Sequence, residues 1–179
     1  MTSRFLSAAA VLTALSFVAP SALRADEWKV FKAPGGEFEV KMPTEPAVQK
    51  QEQPTPAGKM MMTMYISTDN DTATVYMVAS CEFPPALKPM LKDNPGVIYD
   101  GLFSGMLQAS QGKETAKRDV KMGAHSGREM EATVFNGEGR MIGRAFIINE
   151  KVYMLLIMSP KAKDLKEDKD KLFNSFKVK

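Results

Sequence analysis

The sequence predicts an α+β fold, in which a single domain holds an antiparallel sheet flanked by helices as an α/β/α sandwich. Three observations predict it. Short segments of alternating apolar and polar residues follow one another with turn residues between them, which is typical of strands joined by hairpins. Two longer segments carry apolar residues at helical spacing. Residues 152–158 are apolar on both faces, and a strand of that kind needs packing layers above and below it.

Residues 1–25 predict a secretory signal peptide. Arg4 gives a positive start, residues 5–19 form an uncharged apolar run, and small residues precede a cleavage site after Ala25. The run is shorter than the roughly 20 residues that span a bilayer, and no cysteine follows it to carry a bacterial lipid anchor. We therefore expect a mature domain of residues 26–179 without a membrane span, periplasmic or secreted.

The elements of the first half are read in order from alternation and turn residues. Residues 28–32 and 37–42 predict two strands around a Pro-Gly-Gly turn. Residues 43–57 hold four prolines and predict an extended loop. Residues 59–68 and 72–83 predict two further strands, the second with one apolar face that includes Cys81.

The middle of the chain predicts the first helix. A proline-rich stretch with at most one helical turn comes before it. Asn94 is placed as the N-cap and Pro95 at the first helical position, and Gly112 ends the helix. The second half predicts strands at 114–122, 128–135 and 140–148, before the strand at 152–158 and a charged closing helix. This closing helix covers 161–175 and docks through four apolar side chains, Leu165, Leu172, Phe173 and Phe176.

Three blocks of sequence carry a family resemblance. The first runs from Phe31 through Gly-Gly-Glu-Phe-Glu-Val-Lys-Met-Pro at 35–43. The second is Gly-Arg-Glu at 127–129, followed by Arg144, Phe146 and the strand at 152–155, and the third is Phe-Asn-Ser-Phe at 173–176. In this arrangement the chain resembles the PsbP-like superfamily. The resemblance implies an α/β/α sandwich around an antiparallel sheet and a role that assists other proteins rather than catalysis. Photosynthetic PsbP proteins are accessory subunits of the oxygen-evolving complex, but no motif here carries that role.

Charge and rare residues exclude several classes of function. Without the signal the chain has 22 Lys and Arg against 21 Asp and Glu, a net charge of +1, which argues against a nucleic-acid partner held by phosphate contacts. Cys81 and His125 are the single cysteine and histidine of the sequence. An intramolecular disulfide and the common Cys- and His-rich zinc sites are therefore excluded.

Three arginines form a candidate anion site. Arg128 begins a predicted strand, and Arg140 and Arg144 share a parity on the next one. Arginine suits bidentate capture of a carboxylate or phosphate. The simpler interpretation is a cluster of cross-strand ion pairs, in which Arg128 contacts Glu129, Glu131 or Glu150.

Cys81 and His125 are the candidate residues for a hydrolase. A thiol on an apolar strand face is usually inert, and nothing in the sequence predicts a lowered pKa for it. His125 stands in a Gly-Ala-His-Ser-Gly turn, where its neighbour Ser126 points the other way if the chain is extended. We expect no enzyme.

Methionine is unusually common, with 14 residues. Met60, Met62 and Met64 would line one face of a strand, and thioethers are soft ligands for Cu(I). Methionine also fills irregular gaps in cores. The leading prediction is thus an accessory or binding domain with an unknown protein partner or small ligand and no cofactor, and the alternative is a copper- or anion-binding protein.

Overall fold

The computed structural model describes residues 28–55 and 57–179, so the predicted signal peptide lies outside the described residues. Within them the chain forms ten strands and three α-helices. The strands are β1 (Lys29–Lys32), β2 (Phe38–Met42), β3 (Ala47–Thr55), β4 (Gly58–Asp69), β5 (Thr74–Glu82), β6 (Lys113–Met122), β7 (His125–Val134), β8 (Gly139–Ile148), β9 (Lys151–Pro160) and β10 (Lys177–Val178). The helices are α1 (Lys88–Asp93), α2 (Pro95–Ala109) and α3 (Lys166–Ser175). No helix in the described ranges is long and apolar enough to cross a membrane.

Seven strands form one antiparallel sheet in the order β3-β4-β5-β9-β8-β7-β6. β9 lies at its centre, and every side chain from Val152 to Ile157 is buried. The prediction of a strand packed on both faces is therefore confirmed. β3 and β6 form the two edges, and their side chains are largely exposed.

Different layers cover the two faces of this sheet. On one face, Tyr99 and Phe103 of α2 pack on β7 and β8, while Leu91 of α1 packs on β5 and β9. On the other face, Leu172 and Phe173 of α3 pack together with a small sheet of order β1-β2-β10. The α+β class with antiparallel sheets is confirmed. The second layer also contains the strands β1, β2 and β10, which the predicted sandwich did not include.

The prediction of a loop over residues 43–57 is wrong, because β3 lies within it. The side chains of β3 outside its masked end are all exposed, so the strand has no apolar alternation that would reveal it. Pro54 stands near the end of this edge strand, opposite Lys59. Proline is tolerated there because its missing N–H is not required by a second neighbour.

Smaller differences have similar causes. β5 is buried on both faces, with Tyr76 and Val78 as well as Cys81, because it lies next to β9. The closing helix starts at Lys166 rather than at 161, and all four predicted docking residues are buried. Pro95 is the first residue of α2 as predicted, but the Asn94 side chain makes no capping hydrogen bond.

Candidate binding cleft

A cleft of about 1390 Å³ lies between α1, α2 and the hairpin formed by β6 and β7. Leu91, Tyr99 and Ile147 contribute apolar surface to its lining. Three prolines lie along the same side as α1 and the start of α2: Pro85, Pro89 and Pro95. Binding sites in proteins are typically concave, mainly apolar and equipped with a few converging polar groups, and this cleft has that composition.

The β6–β7 hairpin supplies a polar wall. Asp119 pairs opposite Arg128, and Lys121 pairs opposite Ser126. Side chains two residues apart on a strand project from the same face, and directly paired residues share that face. All four residues line the cleft. The hairpin therefore presents an ammonium, a carboxylate, a hydroxyl and a guanidinium to it.

Arg128 joins this wall to α2. Its Nη1 donates to Asp100 Oδ1 at 2.9 Å and its Nε donates to Asp119 Oδ1 at 3.2 Å. The guanidinium carbon lies 5.7 Å from the centroid of the Tyr99 ring, within the range of a cation–π contact. Nη2 has no hydrogen-bond partner among the described residues, and it lies near Gly96, which also lines the cleft. Arg128 is thus positioned partly by its partners and keeps donors for a ligand.

Asp100 receives a second contact, from Lys117 Nζ at 3.3 Å. This hydrogen bond is the largest cause that lowers the pKa of Asp100, and the hydrogen bond from Arg128 adds to it. The carboxylate is therefore ionised over the physiological range, and it contacts both β6 and β7.

The Tyr99 hydroxyl holds the floor of the cleft to the sheet. It accepts a hydrogen bond from the Ile147 N–H and donates one to the Ser126 carbonyl, both at 3.2 Å. Burial raises the pKa of Tyr99, so the phenol stays neutral. Because the hydroxyl both accepts from and donates to main-chain groups, Tyr99 helps to fix the position of the Ser126 backbone.

Charge along the cleft is only partly balanced. Lys88 Nζ pairs with Glu150 at 2.7 Å, and Arg128 pairs with Asp100 and Asp119. Lys92, Lys121 and Asp93 are exposed, and none of the three has an ion-pair partner among residues 28–55 and 57–179. Two cations and one carboxylate are therefore left for a ligand.

The structure does not bring the three predicted anion-binding arginines together. Arg128 faces α2, whereas Arg144 stacks on Phe173 of α3, with its guanidinium carbon 4.7 Å from the ring centroid. Arg140 has the same parity as Arg144 in β8 and so faces α3 as well. The sheet separates Arg128 from the other two.

Arg128 does form a cross-strand ion pair, as the simpler interpretation predicted, but its partner is Asp119 rather than Glu129, Glu131 or Glu150. Glu129 and Glu131 have the opposite parity to Arg128 and face α3. Glu129 is buried and contacts three cations, Arg118, Arg144 and Lys169, with Lys169 Nζ at 2.9 Å. Burial acts to raise the pKa of Glu129, but hydrogen bonds from Lys169 and Arg144 outweigh it and lower that pKa. The cluster ties α3 to the sheet.

Cys81 and His125 lie apart. Cys81 is in β5 and His125 begins β7, so β9 and β8 stand between their strands. Three strand spacings amount to roughly 14 Å, which is too far for a nucleophile and its base. Cys81 is buried, and burial raises the pKa of its thiol to about 11, while His125 is exposed.

The methionine strand packs as part of the fold. Met60, Met62 and Met64 lie on β4 and are half-buried. Met62 pairs directly opposite Cys81 and packs on the cluster of Cys81, Leu91 and Val152. The sequence did not predict that the single thiol stands beside this strand. Since the thiol is protonated and surrounded by apolar groups, this packing favours a structural role.

Sequence reasoning missed the cleft itself. Its walls come from three separate segments, residues 85–99, 119–128 and 147–150, and only tertiary packing brings them together. One local signal was present: Gly127 has no room for a side chain, because a Cβ there would lie 2.4 Å from the Ala145 oxygen and from the Phe146 ring. The Gly-Arg-Glu block therefore marks a close approach of β7 to β8 beside the cleft.

One solved structure supports the architecture. No family model matches the chain, and no curated protein sequence matches it. The solution structure of cyanobacterial PsbP (CyanoP) from Synechocystis sp. PCC 6803 is similar over 91% of this chain and 99% of that one, with a TM-score of 0.61 and 11% identity. The chain has the PsbP-like fold. A protein of unknown function from Pseudomonas aeruginosa, described as a putative regulator, covers 79% of this chain and 88% of its own, with 10% identity and a TM-score of 0.38.

The PsbP-like fold gives the cleft its context. The resemblance seen in the sequence blocks extends to the three-dimensional arrangement, although identity at this level shows the fold and not the role. What the protein does has to be argued from the cleft.

Proposed function

We propose that this protein is an exported, non-enzymatic accessory domain that binds a partner molecule in the cleft between α1, α2 and the β6–β7 hairpin. The observation that carries the proposal is the composition of that cleft. An apolar floor meets a wall of polar groups, in which Arg128 binds the Asp119 carboxylate and Tyr99 binds the Ser126 carbonyl. A binding surface benefits from such preorganisation, because fewer groups have to be ordered when a ligand arrives.

The chemistry of the lining supports binding rather than catalysis. No histidine or cysteine is among the described residues that line the cleft, and its hydroxyls are those of Tyr99 and Ser126. Tyr99 is engaged by main chain on both sides. Ser126 and its cross-strand partner Lys121 are both exposed, and no hydrogen bond among the described residues joins the Ser126 hydroxyl to a possible general base. An activated nucleophile needs such a base.

A blocking variant tests the site. Ser126→Trp places a large ring in the cleft at an exposed position, and Ser104→Trp makes the same change on the exposed side of α2. A screen of small-molecule fragments and short peptides against the ¹⁵N-labelled protein should shift amide resonances of Gly96, Ser126 and Gly127 first. Ser126→Trp should abolish those shifts and Ser104→Trp should keep them. Shifts that cluster elsewhere, or that survive in Ser126→Trp, would contradict the proposal.

Export is the second part of the proposal. It rests on the composition of residues 1–25, with a positive start, an uncharged run and small residues before the cleavage site. The intact mass of the protein recovered from the periplasm or medium should correspond to a chain that begins near Asp26. Recovery with residues 1–25 attached would refute the export argument.

A further inference from the structure

We infer that the cleft takes an extended peptide segment that combines carboxylates with apolar side chains, and that Lys121, Ser126 and Arg128 hold one of its carboxylates. This inference rests on the proposed function and names the ligand of the same site. Three features support it: the donors left free on the hairpin, the apolar lining, and the exposed edge of β6.

The donors left free on the hairpin match a carboxylate. Lys121 is exposed without an ion-pair partner in the described chain, and Ser126 stands directly across from it with an exposed hydroxyl. Arg128 lies two residues further along the same face and has Nη2 unoccupied. A guanidinium and an ammonium around a hydroxyl provide charge-assisted hydrogen bonds to an anionic oxygen pair. Asp119 shares Arg128 with this ligand, but the four lysine and arginine side chains that line the cleft still exceed its three acidic ones.

The other wall extends the same preference. Lys92 of α1 lines the cleft and has no ion-pair partner among the described residues. Its neighbour Asp93 also lines the cleft and is likewise without an ion-pair partner there. Between these charges lie Leu91, Tyr99 and Ile147, which offer apolar surface. A ligand that fits has apolar groups for this surface and negative charge for the cations on either side.

Size and position favour a peptide over a small molecule. The volume of about 1390 Å³ exceeds the roughly 300–1,000 Å³ of common small-molecule sites. β6 is an edge strand, so one row of its backbone N–H and C=O groups has no strand partner in the described sheet. An extended peptide can pair with such an edge and place alternate side chains in an adjoining groove. Asp119 and Lys121 bring that edge into the cleft.

A comparison of labelled peptides tests the inference. The probes are two fluorescein-labelled ten-residue peptides, one with alternating Glu and Val and the other with alternating Lys and Val, together with laurate as a small carboxylate competitor. We expect the acidic peptide to bind at least tenfold more tightly than the basic one and to weaken as salt is raised. Lys121→Glu should weaken the affinity for the acidic peptide at least tenfold, whereas Lys121→Arg should retain it. Lys166→Glu on the exposed side of α3 should leave that affinity unchanged.

The failures can be told apart. If the basic peptide binds equally well and Ser126→Trp abolishes its binding, the cleft is a binding site and the inferred charge preference is wrong. If laurate displaces the acidic peptide with an inhibition constant equal to the dissociation constant of the peptide, the ligand is a small amphipathic carboxylate and the peptide inference is overturned. If neither peptide binds, the inference also fails, while the fragment screen decides the proposed function separately.

Discussion

Replacing Glu129 by glutamine should lower the free energy of unfolding by about 3 kcal/mol, which lies at the lower end of the range for breaking a buried ion pair. The perturbation removes one negative charge and keeps the shape of the side chain. Its neighbours Arg144 and Lys169 have side chains that are only 18% and 19% exposed. They then lose the carboxylate that balances them in a region where water cannot fully replace it.

We choose the lower end of that energy range because Arg118, the third cation around Glu129, is largely exposed. The Arg118 side chain is 52% exposed, so water compensates that guanidinium after the substitution. Glu131 stays in place, 3.6 Å from both Arg118 and Lys169, and retains part of the attraction. A typical domain has only about 5–15 kcal/mol of stability in total, so the loss is large enough to measure without unfolding the protein.

The pH dependence has a definite sign. The pKa of Glu129 in the folded protein is below its ordinary value of about 4.3. The ionised carboxylate therefore stabilises the fold fully above that ordinary value, and the contribution is lost as pH falls through the folded pKa. The stability difference between the protein and Glu129→Gln should be constant above about pH 5 and shrink as pH falls below about 4.

Urea unfolding of both proteins between pH 3 and pH 8 measures these differences. The control is Glu167→Gln, which breaks an ion pair with Lys171 one helical turn away on α3. The Glu167 side chain is 78% exposed, so its loss should cost only about 0.3–0.5 kcal/mol. Equal effects of the two substitutions, or a difference that grows at low pH, would refute the argument that the buried charge cluster fastens α3 to the sheet.

Three further outcomes are expected. Gly127→Ala should destabilise the protein strongly in thermal unfolding because its Cβ meets the backbone of β8, whereas Gly101→Ala, with open space around it, should stabilise α2 by about 0.5–1 kcal/mol; similar effects would contradict the packing argument. Cys81 should react slowly with a thiol reagent in the native protein and rapidly in urea, so rapid native labelling would show that it is accessible. Met62→Leu should cost less than about 1.5 kcal/mol, and a Cu(I) titration against a competing chelator should show no stoichiometric capture by the unmodified protein; capture at nanomolar free copper would make the methionine strand a metal site.

The sequence predicts those parts of the fold that depend on local periodicity. The doubly apolar run in β9 predicts a central strand because only a strand with layers on both sides can bury it. β3 was missed because an edge strand with every described side chain in water has no periodic signal. β10 is two residues long and forms only because β2 is available as a partner.

The cleft shows a different limit. Parity along β7 and β8 is enough to place Arg128 and Arg144 on opposite faces, but only once their strands are known to be neighbours in one sheet. The contact of Arg128 with Asp100 depends on where α2 crosses the sheet, and no pattern within either segment encodes that crossing. The sequence identified Arg128 as a candidate anion-binding residue, but it did not identify Lys121 and Ser126, which line the cleft beside it.

The small sheet has a consequence for the order of events during biogenesis. β1 and β10 both pair with β2, so the first and last strands of the described chain close on the same partner. A chain that leaves the ribosome from its N-terminal end presents β1 and β2 long before β10. Phe38 and Phe176, whose ring centroids are 5.5 Å apart, can meet only after nearly all of the chain has emerged. The final packing of this layer therefore waits until synthesis of the chain is nearly complete.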